Sequence, residues 1–131
     1  MPNTTTMKRK TGKKTGTKVL VVEDEGAMSL VLDMVLDEKK LQLDYVNNLL
    51  AADEYLDKQT PSLIILDNKL PDGFGVDFIS YIKRKYPSIK IIMISGFPAA
   101  RDVALENGAD IFLDKPFSMD EFNEAIDQLL N

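Results

Sequence analysis

Residues 63–73 read LIILDNKLPDG. Four apolar residues run straight into Asp67, and a Pro-Asp-Gly turn signal follows. An apolar run this short, bounded by turn residues, reads as a buried strand. A carboxylate at the lip of such a strand costs free energy unless something solvates it or uses it. Other apolar runs end in a similar way. Residues 18–22, KVLVV, stop on Glu23-Asp24-Glu25. Residues 89–94 stop on Ser95-Gly96, and residues 111–113 stop on Asp114-Lys115-Pro116.

Between these runs the apolar spacing changes to that of helices. Residues 27–38 carry Met28, Val31, Leu32, Val35 and Leu36 on one face. Residues 48–58 read as a helix capped by Asn48, with Leu49, Ala52, Tyr55 and Leu56 inward. Residues 74–86 place Phe78, Ile79 and Ile82 together and are ended by Pro87. Residues 98–107 start on a proline and stop at Gly108. Ser118 and Glu121 form a capping box ahead of Phe122, Ile126, Leu129 and Leu130. Residues 41–46 alternate apolar and polar, as a half-exposed edge strand does. Strands and helices therefore alternate strictly, which predicts an α/β fold with a doubly wound parallel sheet of five strands. With the second strand at an edge, the order is 2-1-3-4-5. The ligand crevice then lies beyond the C-terminal ends of strands one and three.

Composition narrows the chemistry. The 131 residues suit one domain. The chain has no Cys and no His, which removes disulfides, thiolate or imidazole metal ligands, His-based triads and a phosphohistidine of its own. No apolar run reaches the roughly 18 residues of a membrane helix, and the N-terminus has no signal-like stretch, so a soluble, cytoplasmic protein is expected. Residues 1–18 carry +6 and no acid, while the whole chain carries −5, leaving −11 on residues 19–131. Residues 1–17 are expected to be a disordered basic tail. The acidic remainder argues against nucleic acid as the partner of the folded part.

Glu23, Asp24 and Asp67 stand at the ends of the two strands that flank the crevice, so three carboxylates are expected to converge. Two like charges about 4 Å apart repel by about 1 kcal/mol in water and about 4 kcal/mol at an effective dielectric of 20. Oxygen donors of this kind suit Mg²⁺, which keeps several waters and shares phosphate oxygens. A hydroxyl (Ser95) and an ammonium (Lys115) at the ends of strands four and five complete a set that could stabilise a phosphoryl group.

The segments VLVVEDE, LIILDNKLPDGFG, IIMISG and IFLDKPF, in this order, resemble the receiver domain of two-component response regulators over residues 18–131. The resemblance implies a (βα)5 flavodoxin-like receiver fold with Asp67 as phosphoacceptor. It implies Mg²⁺ held by Glu23, Asp24 and Asp67, with Asp24, Asp67 and the backbone carbonyl of Lys69 as direct ligands. Ser95 matches the switch hydroxyl, Phe112 the switch aromatic and Lys115 the phosphate-pairing lysine, and a cis peptide is implied between Lys115 and Pro116. The implied partners are a histidine kinase or histidine phosphotransfer protein and a downstream protein target. The implied role is a stoichiometric phosphoacceptor that catalyses its own phosphorylation and dephosphorylation and is not otherwise an enzyme. The face that responds would be the fourth helix, fifth strand and fifth helix, with Phe112 swinging inward.

Two departures carry expectations of their own. Glu23 stands where an Asp is commoner, so it would act through a metal-bound water. Lys69 and Phe97, two residues beyond Asp67 and Ser95, would impede an attacking water and prolong the life of the phosphoryl group. A haloacid-dehalogenase-like phosphatase needs a second acid where Lys69 stands. An FMN carrier would meet the acids at 23–25 in its phosphate loop. The remaining rival is a receiver fold that docks a protein without phosphorylation. No output domain is expected after the last helix.

Overall fold

A computed structural model of the chain describes residues 17–24, 33 and 39–130. Residues 1–16 and, apart from Asp33, the expected helix at 27–38 lie outside the described residues. The main sheet has five parallel strands: β1 (Lys18–Val22), β2 (Gln42–Val46), β3 (Leu63–Asp67), β4 (Lys90–Ser95) and β5 (Ile111–Asp114), in the order β2-β1-β3-β4-β5. This is the expected 2-1-3-4-5 order. The described helices are α1 (Leu49–Leu56), α2 (Ile79–Lys85), α3 (Ala100–Asn107) and α4 (Met119–Leu130).

Side chains alternate along a strand, so a strand covered on both faces feeds two cores. Leu20, Val22, Ile64, Leu66, Ile91 and Met93 point to one face and pack with Ala52 and Leu56 of α1, Ile79 and Ile82 of α2 and Ala104 of α3. Val19, Val21, Leu63, Ile65, Ile92 and Ile94 point to the other and pack with Phe122, Ala125 and Ile126 of α4. β2 is only partly buried, as an edge strand with alternating residues should be.

The caps follow the sequence. Asn48 Oδ1 accepts from the Ala51 N–H at 2.7 Å. The Ser118 and Glu121 side chains exchange bonds with each other's N–H at 3.0 and 2.9 Å. α3 ends on Gly108 at φ 117°, a left-handed conformation suited to glycine.

Residues 74–86 differ from the single helix expected there. Lys69–Leu70 and Gly73–Phe74 form a small antiparallel ladder, Gly75–Asp77 is a 3₁₀ turn, and helix begins only at Ile79. The cause is tertiary. The Gly75 N–H donates to the Asn68 carbonyl at 2.6 Å, and the Val76 N–H donates to Asn68 Oδ1 at 3.0 Å. Both amides are thereby held by the strand end instead of starting a helix.

Asp72 is a cap the sequence did not reveal. Its two carboxylate oxygens accept from the Leu49 and Leu50 N–H groups at 2.8 and 2.9 Å, so it closes the N-terminus of α1 from another loop. The bond from Leu49, then that from Leu50, holds its carboxyl below the ordinary value of 3.8. A lowered folded value means the stabilisation is present above the ordinary value and fades as pH falls through the folded one. Asp72→Ala should therefore lower the thermal midpoint at pH 7, and the gap from wild type should narrow as pH drops below about 4. A pH series of thermal unfolding curves checks this, and a gap that stays constant down to pH 2 would contradict it.

Candidate functional site

The register brings four strand ends together. Val22 pairs with Leu66, so Glu23 follows beside Asp67. Asp67 pairs with Ile94, and Ser95 pairs with Asp114. The Asn68 N–H donates to the Ile94 carbonyl at 3.0 Å, and the Lys115 N–H donates to the Ser95 carbonyl at 2.9 Å, which carries the alignment one residue past the sheet.

Glu23, Asp67, Asn68 and Ser95 are the buried polar residues of the described chain, and all four sit at this end. Lys115 Nζ reaches Asp67 Oδ1 at 3.2 Å, with the Asp67 side chain 8 % exposed and that of Lys115 24 %. A buried carboxylate is tolerable when an ammonium stands this close. Ser95 Oγ accepts from the Phe97 N–H at 3.0 Å, so the serine shapes its own loop while its hydroxyl proton can be directed elsewhere. The Lys115–Pro116 peptide is cis. Asp24 and the Lys69 side chain are exposed. Of the three acids expected to converge, Glu23 and Asp67 are buried at adjacent strand ends and Asp24 is exposed.

Phe112 is 5 % exposed and belongs to the core shared with α1, α2 and α3. The Arg101 guanidinium lies 5.0 Å from its ring centroid and also bonds Asp114 Oδ2 at 3.0 Å. In this structure the Phe112 ring is buried, with the Arg101 guanidinium beside it.

The donors present suit a hard cation. They are carboxylates and backbone carbonyls, in a chain without thiol or imidazole. Among the described residues no group of three or more acids forms a ready-made cage. Mg²⁺ asks for only one or two carboxylates and keeps water elsewhere in its shell. The residues at this end therefore fit such an ion.

Two features of the site were not legible in the sequence. Asn68 is 4 % exposed and spends its side-chain oxygen on Val76. At Gly75, a Cβ would collide with the carbonyl oxygen of Asp67 and lie 3.2 Å from its carbonyl carbon and 3.0 Å from Leu66 Cγ. The loop is thus laid directly on the backbone of Asp67, and only a residue without a side chain permits it.

Comparison with known proteins agrees with this geometry. The response regulator receiver domain family matches residues 19–127, and the chain belongs to that family. The chain is 32 % identical over 111 residues to the response regulator protein PilR of Pseudomonas aeruginosa, covering 83 % of this chain and 25 % of that protein. It is 36 % identical over 112 residues to the KDP operon transcriptional regulatory protein KdpE of Escherichia coli, covering 84 % of this chain and 49 % of that protein. The chain therefore spans about a quarter to a half of the length of these relatives. Among solved structures, the beryllofluoride-activated NtrC4 receiver domain dimer matches with a TM-score of 0.81 at 34 % identity, covering 86 % of this chain and 95 % of that one. The Thermotoga maritima response regulator TrrA, in complex with Mg(2+)-BeF, matches with a TM-score of 0.79 at 29 % identity, covering 87 % and 99 %. No helix among the described residues is long and apolar enough to cross a membrane.

The close approach at Gly75 makes a direct prediction. Gly75→Ala should destabilise the fold by about 2 kcal/mol, in the range of an overpacked core, because the nearest atom is the backbone carbonyl oxygen of Asp67, which cannot rotate away. Urea unfolding measures this, and an unchanged midpoint would refute it.

Proposed function

We propose that Asp67 is the phosphoacceptor of a two-component signalling receiver. It takes a phosphoryl group from a phosphohistidine on a histidine kinase or histidine phosphotransfer protein and passes the change to a downstream protein target. The observation that carries this reading is the buried Asp67 carboxylate at the end of the central strand with Lys115 Nζ 3.2 Å away. A nucleophile for an in-line displacement needs to be held still and kept ionised, and an adjacent ammonium favours the ionised form.

In the step proposed, an Asp67 carboxylate oxygen attacks phosphorus. The new O–P bond forms as the P–N bond breaks, and the electron pair leaves on the partner's imidazole, which takes up a proton. Lys115 releases Asp67 Oδ1 and pairs with an oxygen of the incoming group as a point charge. Ser95 keeps the Phe97 N–H on its oxygen and donates its hydroxyl proton to a second phosphoryl oxygen. That bond draws Gly96-Phe97 toward the site, and with them the start of α3. Asp24, Asp67 and the Lys69 carbonyl would hold Mg²⁺ directly and Glu23 would hold it through water; the ion would supply positive charge opposite the transferring group. Such a local charge event can bias the surface formed by α3, β5 and α4.

The chain would act as a stoichiometric acceptor that promotes its own labelling and its own hydrolysis. The exposed Lys69 side chain, two residues beyond the acceptor, would stand in the way of an attacking water.

Asp67→Asn should abolish labelling by a cognate kinase or by acetyl phosphate in Mg²⁺, leaving the thermal unfolding transition cooperative. Full labelling of the variant, read by mass spectrometry or phosphate-affinity electrophoresis, would overturn the assignment. Once labelled, Lys69→Ala should lose its phosphoryl group several-fold faster than wild type. An equal or slower loss in a single-turnover decay would remove the proposed role of Lys69.

A further inference from the structure

Val76 is gripped on both of its peptide groups. Its N–H donates to Asn68 Oδ1 at 3.0 Å, and its carbonyl accepts from Asn107 Nδ2 at 3.2 Å. Asn68 immediately follows the acceptor and is 4 % exposed. Asn107 is the last residue of α3. Between them, Gly75 lies against the Asp67 carbonyl and gives its N–H to the Asn68 carbonyl at 2.6 Å. The Asp67–Asn68 backbone, held on one side by Ile94 of the sheet, is thus held on the other by Gly75-Val76, and Val76 is tied in turn to the end of α3.

The anchor at that end is firm. Gly108 closes the helix against the Lys83 side chain, where a Cβ would lie 2.8 Å from Lys83 Cγ. Asp110 Oδ2 accepts from Lys83 Nζ at 3.0 Å and from the Ile91 N–H at 2.8 Å, and Ala109 is buried. The other end of α3 is tied differently, through Arg101, which bonds Asp114 Oδ2 at 3.0 Å and lies over the Phe112 ring. Its cap, Ala99, makes no side-chain bond, and Phe97 is 54 % exposed. Ser95 and Phe112 lie toward the N-terminal end of the helix, while the Asn68–Val76–Asn107 link joins the acceptor to its C-terminal end.

We propose that Asn68 and Asn107 clamp Val76 as a strut between the acceptor strand and the C-terminal end of α3, and that Asn107 is a positioning residue for phosphoryl uptake at Asp67. This rests on the phosphoacceptor reading above. Asn107 touches no reacting atom; it acts through Val76, Gly75 and Asn68 on the carbonyl end of Asp67 and on the start of the Lys69 segment. By linkage, a group bound at Asp67 that prefers one placement of Val76 must alter the grip of Asn107 to the same extent.

The test uses the full chain with beryllofluoride and Mg²⁺ as the probe. Asn107→Asp keeps the shape of the side chain but cannot donate, while Asn107→Gln keeps the amide donor. Loss of one such bond should raise the half-saturating beryllofluoride concentration about fivefold for Asn107→Asp. In the same variant, amide hydrogen exchange at Gly75 and Val76 should accelerate in the unbound protein. Asn107→Gln should stay within about twofold of wild type on the bond's typical net worth. In a double-mutant cycle, Asn68→Ala combined with Asn107→Ala should be no weaker a binder than the worse single variant, because both remove one strut. Unchanged Gly75 and Val76 exchange in Asn107→Asp, or additive losses in the cycle, would overturn the strut. A wild-type chain that fails to bind beryllofluoride, with normal Val76 exchange and the same acceleration in Asn107→Asp, would instead strike the phosphoacceptor reading and with it the role of Asn107 in uptake.

Discussion

A negative charge at the end of an apolar strand is the constraint around which the rest of this protein is arranged. β3 is buried along its whole length, and Asp67 is buried with it. Left alone, that carboxylate would cost several kcal/mol or take up a proton. Lys115 Nζ stands 3.2 Å away and offsets this cost, and it can do so only because β5 lies beside β4, which lies beside β3. The order of strands and the tolerance of one charge are thus the same fact seen at two scales. Glu23, buried at the neighbouring strand end, adds a second charge of the same sign. Oxygen donors of this kind, carboxylates and backbone carbonyls, are those a hard divalent cation would use under the function proposed above.

Stability and responsiveness are divided between the two sides of that site. Below it, the apolar residues of the strands alternate into two cores and fix the sheet. Above it, the loops are held by polar ties of individually modest strength: Asp72 on the first turn of α1, Asn68 on Val76, Ser95 on Phe97, Arg101 between Phe112 and Asp114. Each typically contributes about 1 kcal/mol net, so a charge introduced at the strand ends can compete with any of them. Phe112 fits this division. Its ring is already in the core and covered by the Arg101 guanidinium.

What was legible in the sequence is what local pattern determines. The apolar runs ending in Asp67, Glu23 and Ser95 disclosed the strands, their order and which ends meet, because burial on both faces forces continuous apolar runs and the crossover rule fixes their neighbours. Gly108, Asn48 and the Ser118–Glu121 box disclosed helix ends, because caps are local chemistry. Residues 74–78 were misread as helix for the complementary reason: Phe78, Ile79 and Ile82 have helical spacing, but the competing hydrogen bonds come from Asn68, and periodicity does not register a side chain that turns back on the loop. Asp72, read only as part of a turn, and Asn107, read only as the end of a helix, were invisible in the same way. Their partners are distant in sequence, and nothing in composition or periodicity marks an Asn as a clamp.

That division between local and distant information bears on how the α3 surface could answer the acceptor. The members of the site seen in sequence, Ser95, Phe112 and Lys115, belong to β4, β5 and their adjoining loops, and they approach the N-terminal end of α3. The members seen only in three dimensions, Asn68, Gly75, Val76 and Asn107, hold its C-terminal end. The C-terminal end of α3 is tied by Asn107 and by Asp110 just beyond it, while Ala99 caps the other end with no side-chain bond; under the proposed function a response would take the form of a tilt about the C-terminal end. Tilting leaves Ala104 in the core while moving Arg101, and therefore its bonds to Phe112 and Asp114, through the larger arc. On that reading the larger displacement would fall where the helix meets β5. A tilt of this kind would need no loss of core burial, so on the proposed function it could be driven by a single charged group at the strand ends.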